Sequence, residues 1–368
     1  MKRSLAVLLI VTSASLGFAQ EHRKFHQPKL TPQKSGTTQL LIAVSPVNDR
    51  VVWAAGTGGT YVRTTDGGKT WNSAVVPGAE TLQFRDVYAV SDKIAYLMSI
   101  GNRPGDFRIY KTVDGGSTWT IEIRNKVVGA FYDCFAFWSP DRGVTHSDSV
   151  NGVFPDIRTT DGTTWQSIAK NMPPALSGEA SFAASGTCIT TEGRGNAWIA
   201  TGGSTIARIL ATTDGGNTWN AYDTPLETSA SGGAISVAFR DAQNGIVGGG
   251  DLSNNTSADA ATSHDGGKTW QLTNPPPVSG SIFCLSYVQG RGHGRLDEGR
   301  GRGPNPVVIT AETEPDFTSG SAAWTPDEGQ TWINLPKQVS GYWAVGFASP
   351  QAGWFVGNKG SILKISFQ

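Results

Sequence analysis

The chain has 368 residues, of which 46 are Gly and 19 are Pro, while only 16% carry a charge. Short apolar runs broken by Gly leave no sustained helical periodicity after the N-terminus, so the composition argues against a helical protein and favours an all-β domain. Thirty basic and 30 acidic residues give a formal net charge of zero. Nucleic acid is therefore not an expected partner.

The N-terminus has the parts of a secretory signal peptide. Two basic residues precede the apolar run Leu5–Val11, and Gly17 with Ala19 supplies small residues ahead of a cleavage site. We predict a signal peptide over residues 1–19 and an exported mature protein, periplasmic or extracellular, over 20–368. No later segment is long and apolar enough to span a bilayer, so we expect the mature chain not to cross a membrane.

One eight-residue phrase recurs six times after the leader. Its first copy reads Thr64-Thr65-Asp66-Gly67-Gly68-Lys69-Thr70-Trp71. The closing tryptophans of successive copies are 48, 46, 54, 51 and 62 residues apart, which is in the range of one four-stranded propeller blade. The spacing predicts a single array of blades. The copies lie at 64–71, 112–119, 159–165, 212–219, 263–270 and 325–332.

The residue types of this repeated phrase predict a tight turn. The aspartate can accept hydrogen bonds from later backbone N–H groups, and the glycine tolerates a positive φ. A tryptophan at a fixed offset is best explained by packing between neighbouring blades. The phrase resembles the Asp-box, or BNR, repeat, in which this turn joins the third and fourth strands of a blade; the third copy is one residue short. We assign structural roles to Asp66, Asp114, Asp161, Asp214, Asp265, Asp327, Trp71, Trp119, Trp165, Trp219, Trp270 and Trp332.

The first strand of each blade is expected to line the central channel. We predict that Arg85, Asp86 and Asp133 cluster at the channel mouth with Glu179, which lies in the loop before the first strand of blade four, and that Trp343 belongs to the same ring. The alternative is an ion pair between Arg85 and Asp133 that only joins two blades. When the first strands are aligned on the turn that follows each of them, one residue of each strand falls at the same height along the channel. These residues are Gln39, Arg85, Asp133, Ser185, Ile235 and Trp343.

The connections on the side of the ring opposite the repeated phrase, which we call the loop face, are long and irregular. Binding usually resides in long loops carried by a rigid scaffold. We therefore expect a ligand to bind on the loop face. The four longest connections are Ser99–Asp106, His146–Asp156, Gly248–Asp259 and Ala311–Ser321.

Three cysteines, Cys134, Cys188 and Cys284, lie in apolar segments and cannot all pair with one another. Buried free thiols are the simpler interpretation, and a disulfide is plausible only between Cys134 and Cys188, which belong to adjacent blades. The five histidines show no metal-ligand spacing. We expect no metal and no cofactor.

A Gly/Arg-rich insert over residues 289–306 separates the first two strands of blade six. It has four Arg, two acidic residues and no aromatic side chain. We expect it to be disordered, because it has nothing to bury and no ring to stack on a base. Contact with an anionic partner is the alternative.

The C-terminal segment is predicted to form a seventh blade without the repeated phrase. Three strands are expected within residues 342–348, 353–357 and 361–366. The fourth is expected from the N-terminal segment 25–39, which would close the ring and remove exposed sheet edges. We therefore predict an all-β, seven-bladed β-propeller closed by an N-terminal strand.

Sequence around the repeats extends the resemblance to known proteins. Over about residues 39–367 the chain resembles the photosystem II stability/assembly factor-like propellers. The resemblance implies a binding platform without catalysis, and it implies no photosynthetic role for this chain. The segments that carry it are Val52–Gly56, Phe84–Val87, Tyr110–Gly116 and Gly353–Gly357.

Two classes of function follow. The first is a monomeric, non-catalytic binding or assembly propeller that holds a protein or small ligand on its loop face and channel mouth. The alternative is a carbohydrate-active enzyme with a glycan substrate, since sialidases and other glycan-active enzymes use Asp-box propellers. A sialidase is disfavoured, because the nearest match to its Phe-Arg-Ile-Pro motif, residues 107–110, lacks the Pro and follows the first box.

The enzymatic alternative names candidate residues. A glycoside hydrolase requires two carboxylates roughly 5–9.5 Å apart, for which Asp133 with Glu179, or Asp86 with either, is the candidate pair. A polysaccharide lyase requires a base beside a cation, for which Tyr132 and Arg85 are the candidates.

Overall fold

Seven four-stranded antiparallel sheets account for the strands of the computed structural model, which describes residues 27–367 apart from 102, 104, 125–126, 256–257, 289–305 and 314. The first strands of the sheets contact one another in cyclic order, and the first blade contacts the seventh. This arrangement confirms the predicted all-β, seven-bladed propeller. The predicted signal peptide (1–19) and residues 289–305 of the insert lie outside the described residues.

Each blade runs from an inner first strand to an outer fourth strand. Strand β1 (Lys29–Lys34) belongs to the last blade. Blade one is β2 (Leu41–Pro46), β3 (Val52–Gly56), β4 (Thr60–Thr64) and β5 (Asn72–Val75). Blade two is β6 (Gln83–Ala89), β7 (Ala95–Ile100), β8 (Arg108–Thr112) and β9 (Thr120–Arg124). Blade three is β10 (Tyr132–Ser139), β11 (Arg142–Ser147), β12 (Ile157–Thr159) and β13 (Trp165–Ser167). Blade four is β14 (Ile189–Glu192), β15 (Asn196–Thr201), β16 (Arg208–Thr212) and β17 (Asn220–Asp223).

The remaining blades follow the same plan, and two 3-10 turns, Ala169–Asn171 and Asn358–Gly360, lie between strands. Blade five is β18 (Gly232–Phe239), β19 (Gly245–Asp251), β20 (Ala260–Ser263) and β21 (Gln271–Leu272). Blade six is β22 (Ser281–Tyr287), β23 (Val307–Glu312), β24 (Gly320–Thr325) and β25 (Ile333–Asn334). Blade seven is β26 (Tyr342–Ser349), β27 (Ala352–Gly357), β28 (Ser361–Ser366) and β1.

The ring is closed by the two ends of the described chain. Strand β1 pairs antiparallel with β28, from Lys29 opposite Ser366 to Lys34 opposite Ser361. Leu30 of β1 packs against the apolar layer between blades seven and one. The predicted closing strand is therefore present, within the segment 25–39 assigned to it.

The repeated phrase forms the turn between the third and fourth strands. In blade two, Asp114 accepts hydrogen bonds from Thr118 N (2.9 Å), Thr118 Oγ1 (2.7 Å) and Thr112 Oγ1 (2.9 Å). The two glycines of this copy have φ of 82° and 92°, a region that costs glycine little. In the short third copy, Asp161 accepts from the N–H groups of Thr163 and Thr164. The missing residue shifts these bonds by one position and leaves the turn intact.

Each of these turns is bonded to the blade that precedes it, and we call this set of contacts the turn latch. In every copy a glycine carbonyl accepts a hydrogen bond from the preceding blade, although the donor differs from blade to blade. The latch therefore joins neighbouring blades around the ring. The donor and acceptor pairs, in chain order of the copies, are Lys364 Nζ to Gly67 O, Tyr61 OH to Gly116 O, Lys111 Nζ to Gly162 O, Arg158 Nη1 to Gly215 O, Trp198 Nε1 to Gly266 O and Asn274 N to Gly329 O.

The tryptophans of the repeated phrase lie in the apolar layer shared with the preceding blade. Trp119 of blade two, for example, packs edge-on against Trp53 and Tyr61 of blade one, with ring centroids 6.3 and 5.1 Å apart. Such edge-to-face pairs stabilise an interface beyond their buried area. The corresponding layers between the other pairs of neighbouring blades contain Trp71, Trp165, Trp219, Trp270 and Trp332.

A disulfide links two blades near the channel. Cys134 on β10 bonds Cys188, just before β14, with Cα atoms 6.1 Å apart. Cys284 is free and buried. The interpretation of all three cysteines as free thiols is therefore wrong for Cys134 and Cys188, because adjacent first strands bring them within bonding distance.

Candidate functional site at the channel mouth

The inner strands enclose a small space near the axis of the propeller. The inner strands leave a space of about 60 Å³, lined by residues such as Val44, Ile189, Val237 and Leu285, which is room for a few water molecules. This space is too small for a peptide or a sugar ring.

Six first strands carry a β-bulge close to their loop-face end, and a bulge re-aims the extra side chain. The bulged residue of blade one is Ile42. The sequence alignment placed Gln39 at the level of the other bulged residues, but Ile42 lies there instead, three residues later in the chain. The alignment is therefore wrong for blade one, because the turn on which it was based is offset by three residues. Blade four has no regular pairing here, and Ser185 Oγ instead donates to Phe283 O at 2.6 Å. The bulged residues are Ile42, Arg85, Asp133, Ile235, Phe283 and Trp343.

Apolar side chains close the loop-face end of the channel, and we call them the mouth cluster. Its residues come from blades one, five, six and seven and from the segment that leads into blade four, so closure of the ring assembles the surface. The inner residues are buried, while the outer ones stay partly accessible and form a rim that can meet a partner. The inner residues are Ile42, Ala184, Ile235, Phe283 and Trp343, and the rim residues are Leu40, Phe182, Leu252 and Phe317.

Phe317 is held in a strained backbone conformation at this rim. Its φ is 52°, a region that a bulky residue rarely occupies. Its ring packs against Phe283 and Trp343 with centroids 5.3 and 6.2 Å away. Its carbonyl accepts hydrogen bonds from Trp343 Nε1 (3.0 Å) and Asn358 Nδ2 (3.2 Å). Strain that is held in place by several contacts is typical of functional sites.

Arg85 lies at the edge of the mouth cluster. Its guanidinium carbon is 5.2 Å from the centroid of the Trp343 ring, and its Nη atoms donate to Ala183 O (2.8 Å) and Gln83 Oε1 (3.1 Å). Burial lowers the pKa of Arg85 to about 10, while the charge of Asp133 acts in the opposite direction. The alternative prediction of an ion pair with Asp133 is wrong, because Arg85 bonds across the channel to blade four.

Asp133 and Asp86 are buried in the first strands next to Arg85. Burial, and next the neighbouring carboxyl of Asp148, raise the pKa of Asp133 well above its usual value. Asp86 accepts hydrogen bonds from its neighbour Val87 N (2.7 Å) and from Phe135 N (2.9 Å) in blade three. Asp86 therefore joins two first strands through its carboxylate.

Glu179 does not belong to the mouth. It forms a buried ion pair with Arg208 and also accepts hydrogen bonds from Thr201 Oγ1 and Leu176 N, both at 2.7 Å. The predicted cluster of Arg85, Asp86, Asp133 and Glu179 is therefore wrong for Glu179, because Arg208 of β16 holds its carboxylate inside blade four.

This arrangement removes the candidate acids of an enzyme. Asp133 and Asp86 are 1% and 4% exposed and Glu179 is held in a buried ion pair, so no two of these carboxylates are open to a sugar substrate. Tyr132, the lyase candidate, is 2% exposed and donates to Pro155 O at 2.8 Å, and burial raises its pKa. Its hydroxyl is directed at the blade-three backbone and is not free to act as a base.

Sequence reasoning missed the rim residues. Phe317 falls within the predicted loop Ala311–Ser321, but no residue pattern signals that its backbone adopts a positive φ. Phe182 precedes the first strand of blade four in a segment without alternation. Only the bulged positions Arg85, Asp133, Ile235 and Trp343 followed from the regular spacing of first strands.

The described residues show neither a metal-binding cluster nor a membrane-spanning helix. Within residues 27–367, with the gaps given above, there is no group of three or more His, Cys, Asp or Glu side chains that could hold a metal ion. In the same residues no helix is long and apolar enough to cross a membrane.

Solved structures share this propeller fold at low sequence identity. A structure described as YCF48 bound to D1 peptide has a TM-score of 0.62 and 16% identity, with 94% of this chain and 96% of that chain covered. YCF48 from Cyanidioschyzon merolae gives 0.61 and 16%, with coverage of 92% and 98%. The WD40 repeats of RRP9 give 0.61 and 10%, with coverage of 94% and 100%. No family model and no curated protein matches the sequence.

Proposed function

We propose that this protein is a non-catalytic binding propeller that holds a segment of another polypeptide against the mouth cluster. The observation that carries the proposal is Phe317, a strained aromatic residue whose ring extends an apolar surface over a closed channel. Backbone strain that several contacts hold in place is common at ligand-binding sites.

The chemistry of the mouth favours a peptide with an apolar side chain. Aromatic residues and Arg dominate the energetic centres of protein interfaces, and the mouth offers Phe182, Phe317 and Arg85. The complex of YCF48 with D1 peptide supports the proposal, because it places a peptide on a propeller of the same fold. The absence of a usable pair of acids at the mouth leaves the glycan-active alternative without a specific observation in its favour.

The repeat type, the cellular location and the oligomeric state belong to the same proposal. We propose that the repeated phrases are Asp-box repeats with a structural role, supported by the hydrogen bonds from their aspartates. The sequence of the leader supports export to a periplasmic or extracellular location. We further propose that the protein acts as a monomer, since the closed ring leaves no blade unpaired.

Site-specific photocrosslinking tests this function. A benzophenone amino acid is introduced at Phe182, on the rim, and separately at Val113, which is 62% exposed in the second copy of the repeated phrase. The tagged proteins are irradiated in the envelope fraction of the native cell. We expect a discrete polypeptide adduct from position 182 only, and we expect Arg85→Ala to weaken it.

The control position decides the outcome. Equal adducts from both positions would indicate nonspecific contact. Failure of position 182 to crosslink any polypeptide, in a protein with unchanged melting temperature, would refute a peptide ligand at the mouth cluster.

A further inference from the structure

The sequence contains two Asn-Gly pairs, and the structure places them in opposite environments. Asn151-Gly152 lies in the connection between β11 and β12, and Asn244-Gly245 lies where β19 begins. A glycine after an asparagine leaves its backbone nitrogen open to the side-chain amide, because glycine has no Cβ to shield that nitrogen. The surroundings of each pair therefore decide whether the nitrogen and the amide can react.

Asn151 is exposed at the tip of a small hairpin. Val150 and Val153 pair around Asn151 and Gly152, whose φ values are 52° and 78°, as in the two-residue turns that favour Asn-Gly. The Asn151 side chain makes no hydrogen bond with any described residue, and neither does the backbone nitrogen of Gly152. A loop tip with so few contacts opens at little cost in free energy, so the amide and the nitrogen can meet.

Asn244 is held at both ends of its side-chain amide. Its Nδ2 donates to Asp241 Oδ1 (2.9 Å) and Oδ2 (3.0 Å), and its Oδ1 lies 2.9 Å from His264 Nδ1. Gly245 is buried in β19, which pairs with β18 on one side and with β20 on the other. Reaction at this pair would therefore require loss of the side-chain hydrogen bonds and displacement of a strand from its sheet.

We propose that Asn151 is a deamidation site on the loop face, whereas the contacts of Asn244 protect it from the same reaction. The Gly152 nitrogen loses its proton to solvent and attacks Cγ of Asn151. The new C–N bond closes a succinimide ring, and ammonia leaves. Water then opens the ring at one of its two carbonyls, which gives aspartate or isoaspartate. The net change is addition of water and loss of ammonia, without oxidation or reduction.

The product alters a connection that supports the rim of the mouth cluster. This connection also carries Asp148, whose Oδ1 accepts a hydrogen bond from Ser181 N at 3.0 Å, and Ser181 precedes the rim residue Phe182. Deamidation of Asn151 adds a carboxylate to the connection, and isoaspartate also lengthens its backbone by a methylene group. The reaction itself does not depend on peptide binding at the mouth cluster.

Peptide mapping by mass spectrometry measures both Asn-Gly pairs in one sample. The folded protein is incubated at alkaline pH, where the attacking nitrogen loses its proton more readily, and is then cleaved at mildly acidic pH. We expect aspartate and isoaspartate to form at position 151 at least about tenfold faster than at 244, or about 1.4 kcal/mol in the barrier. In urea-unfolded protein the two rates should become similar, because both pairs have the same local sequence.

A variant at the protected pair tests the cause of the difference. Asp241→Ala removes the acceptor of the Asn244 amide, so it should accelerate deamidation at 244 severalfold and leave the rate at 151 unchanged. Equal rates at 151 and 244 in the folded parent protein, or reaction at 151 only after unfolding, would overturn the deamidation site. An unchanged rate at 244 in an Asp241→Ala variant of unaltered melting temperature would overturn the protection assigned to these hydrogen bonds.

Discussion

Single residues at the loop face combine burial with missing partners, and Glu312 is the clearest case. It ends β23, is 2% exposed, and its Oε2 has no hydrogen-bond partner. Burial, with a smaller contribution from the charge of Asp316, raises the pKa of Glu312 to about 8. The carboxyl is therefore largely neutral in the folded protein at pH 7 and ionised in the unfolded chain.

This difference predicts how stability depends on pH. Because the folded pKa lies above the unfolded value, the contribution of Glu312 is fully present below about pH 4.5 and is lost as the pH rises towards 8. Glu312→Gln removes the titration. Relative to the parent, the variant should gain more than about 1 kcal/mol between pH 5 and pH 8, since one pKa unit corresponds to about 1.4 kcal/mol. Urea unfolding at both pH values measures it, and an unchanged difference would contradict the prediction.

The strain at Phe317 predicts an unusual order of stability among variants. Removing the ring loses its packing on Phe283 and Trp343, but glycine also relieves the positive φ whereas alanine retains the penalty. We expect Phe317→Gly to be more stable than Phe317→Ala by about 1 kcal/mol. Thermal unfolding of the two variants compares them directly. Equal stabilities would show that the backbone at this position relaxes in solution.

Among the elements, the blade boundaries and the closing strand were predictable, whereas side-chain contacts between distant segments were not. The repeated phrase fixes a turn by local hydrogen bonds, so each third and fourth strand followed from sequence. The first strand of blade four did not, because the segment before Ile189 has irregular backbone and its contacts lie far away in the chain. Arg208, 29 residues from Glu179, was likewise invisible as its partner.

The disulfide predicts a measurable link between blades three and four. Cys134 and Cys188 close a loop with a sequence separation of 54 residues, and cross-links of this kind typically stabilise by about 2–4 kcal/mol. Replacing both cysteines with alanine should lower the free energy of unfolding by that amount. A reductant should destabilise the parent and leave the double variant unaffected. If the reductant acts equally on both, the bond does not form in solution.

For the whole molecule, stability depends on closure of the ring. Deleting residues 27–34 removes β1 and exposes the edge of β28 and part of the layer that Leu30 covers. We expect a lower melting temperature and a tendency to associate through the open edge. A synthetic peptide of residues 27–36 should restore the melting temperature in a concentration-dependent manner.

The matched control for ring closure is a peptide with the same composition in scrambled order. Recovery with the scrambled peptide, or an unchanged melting temperature after the deletion, would show that β1 does not close the propeller.

The two strands that close the ring, β1 and β28, are synthesised far apart in time. A ribosome completes Lys29–Lys34 first and reaches Ser361–Ser366 roughly 330 residues later, which takes about 20–60 s at common elongation rates. Throughout that interval the first strand has no partner, and the nascent blades form an open arc with two bare ends. A nascent chain is therefore exposed to premature edge pairing until β28 emerges, which makes this strand decisive for the yield of closed rings.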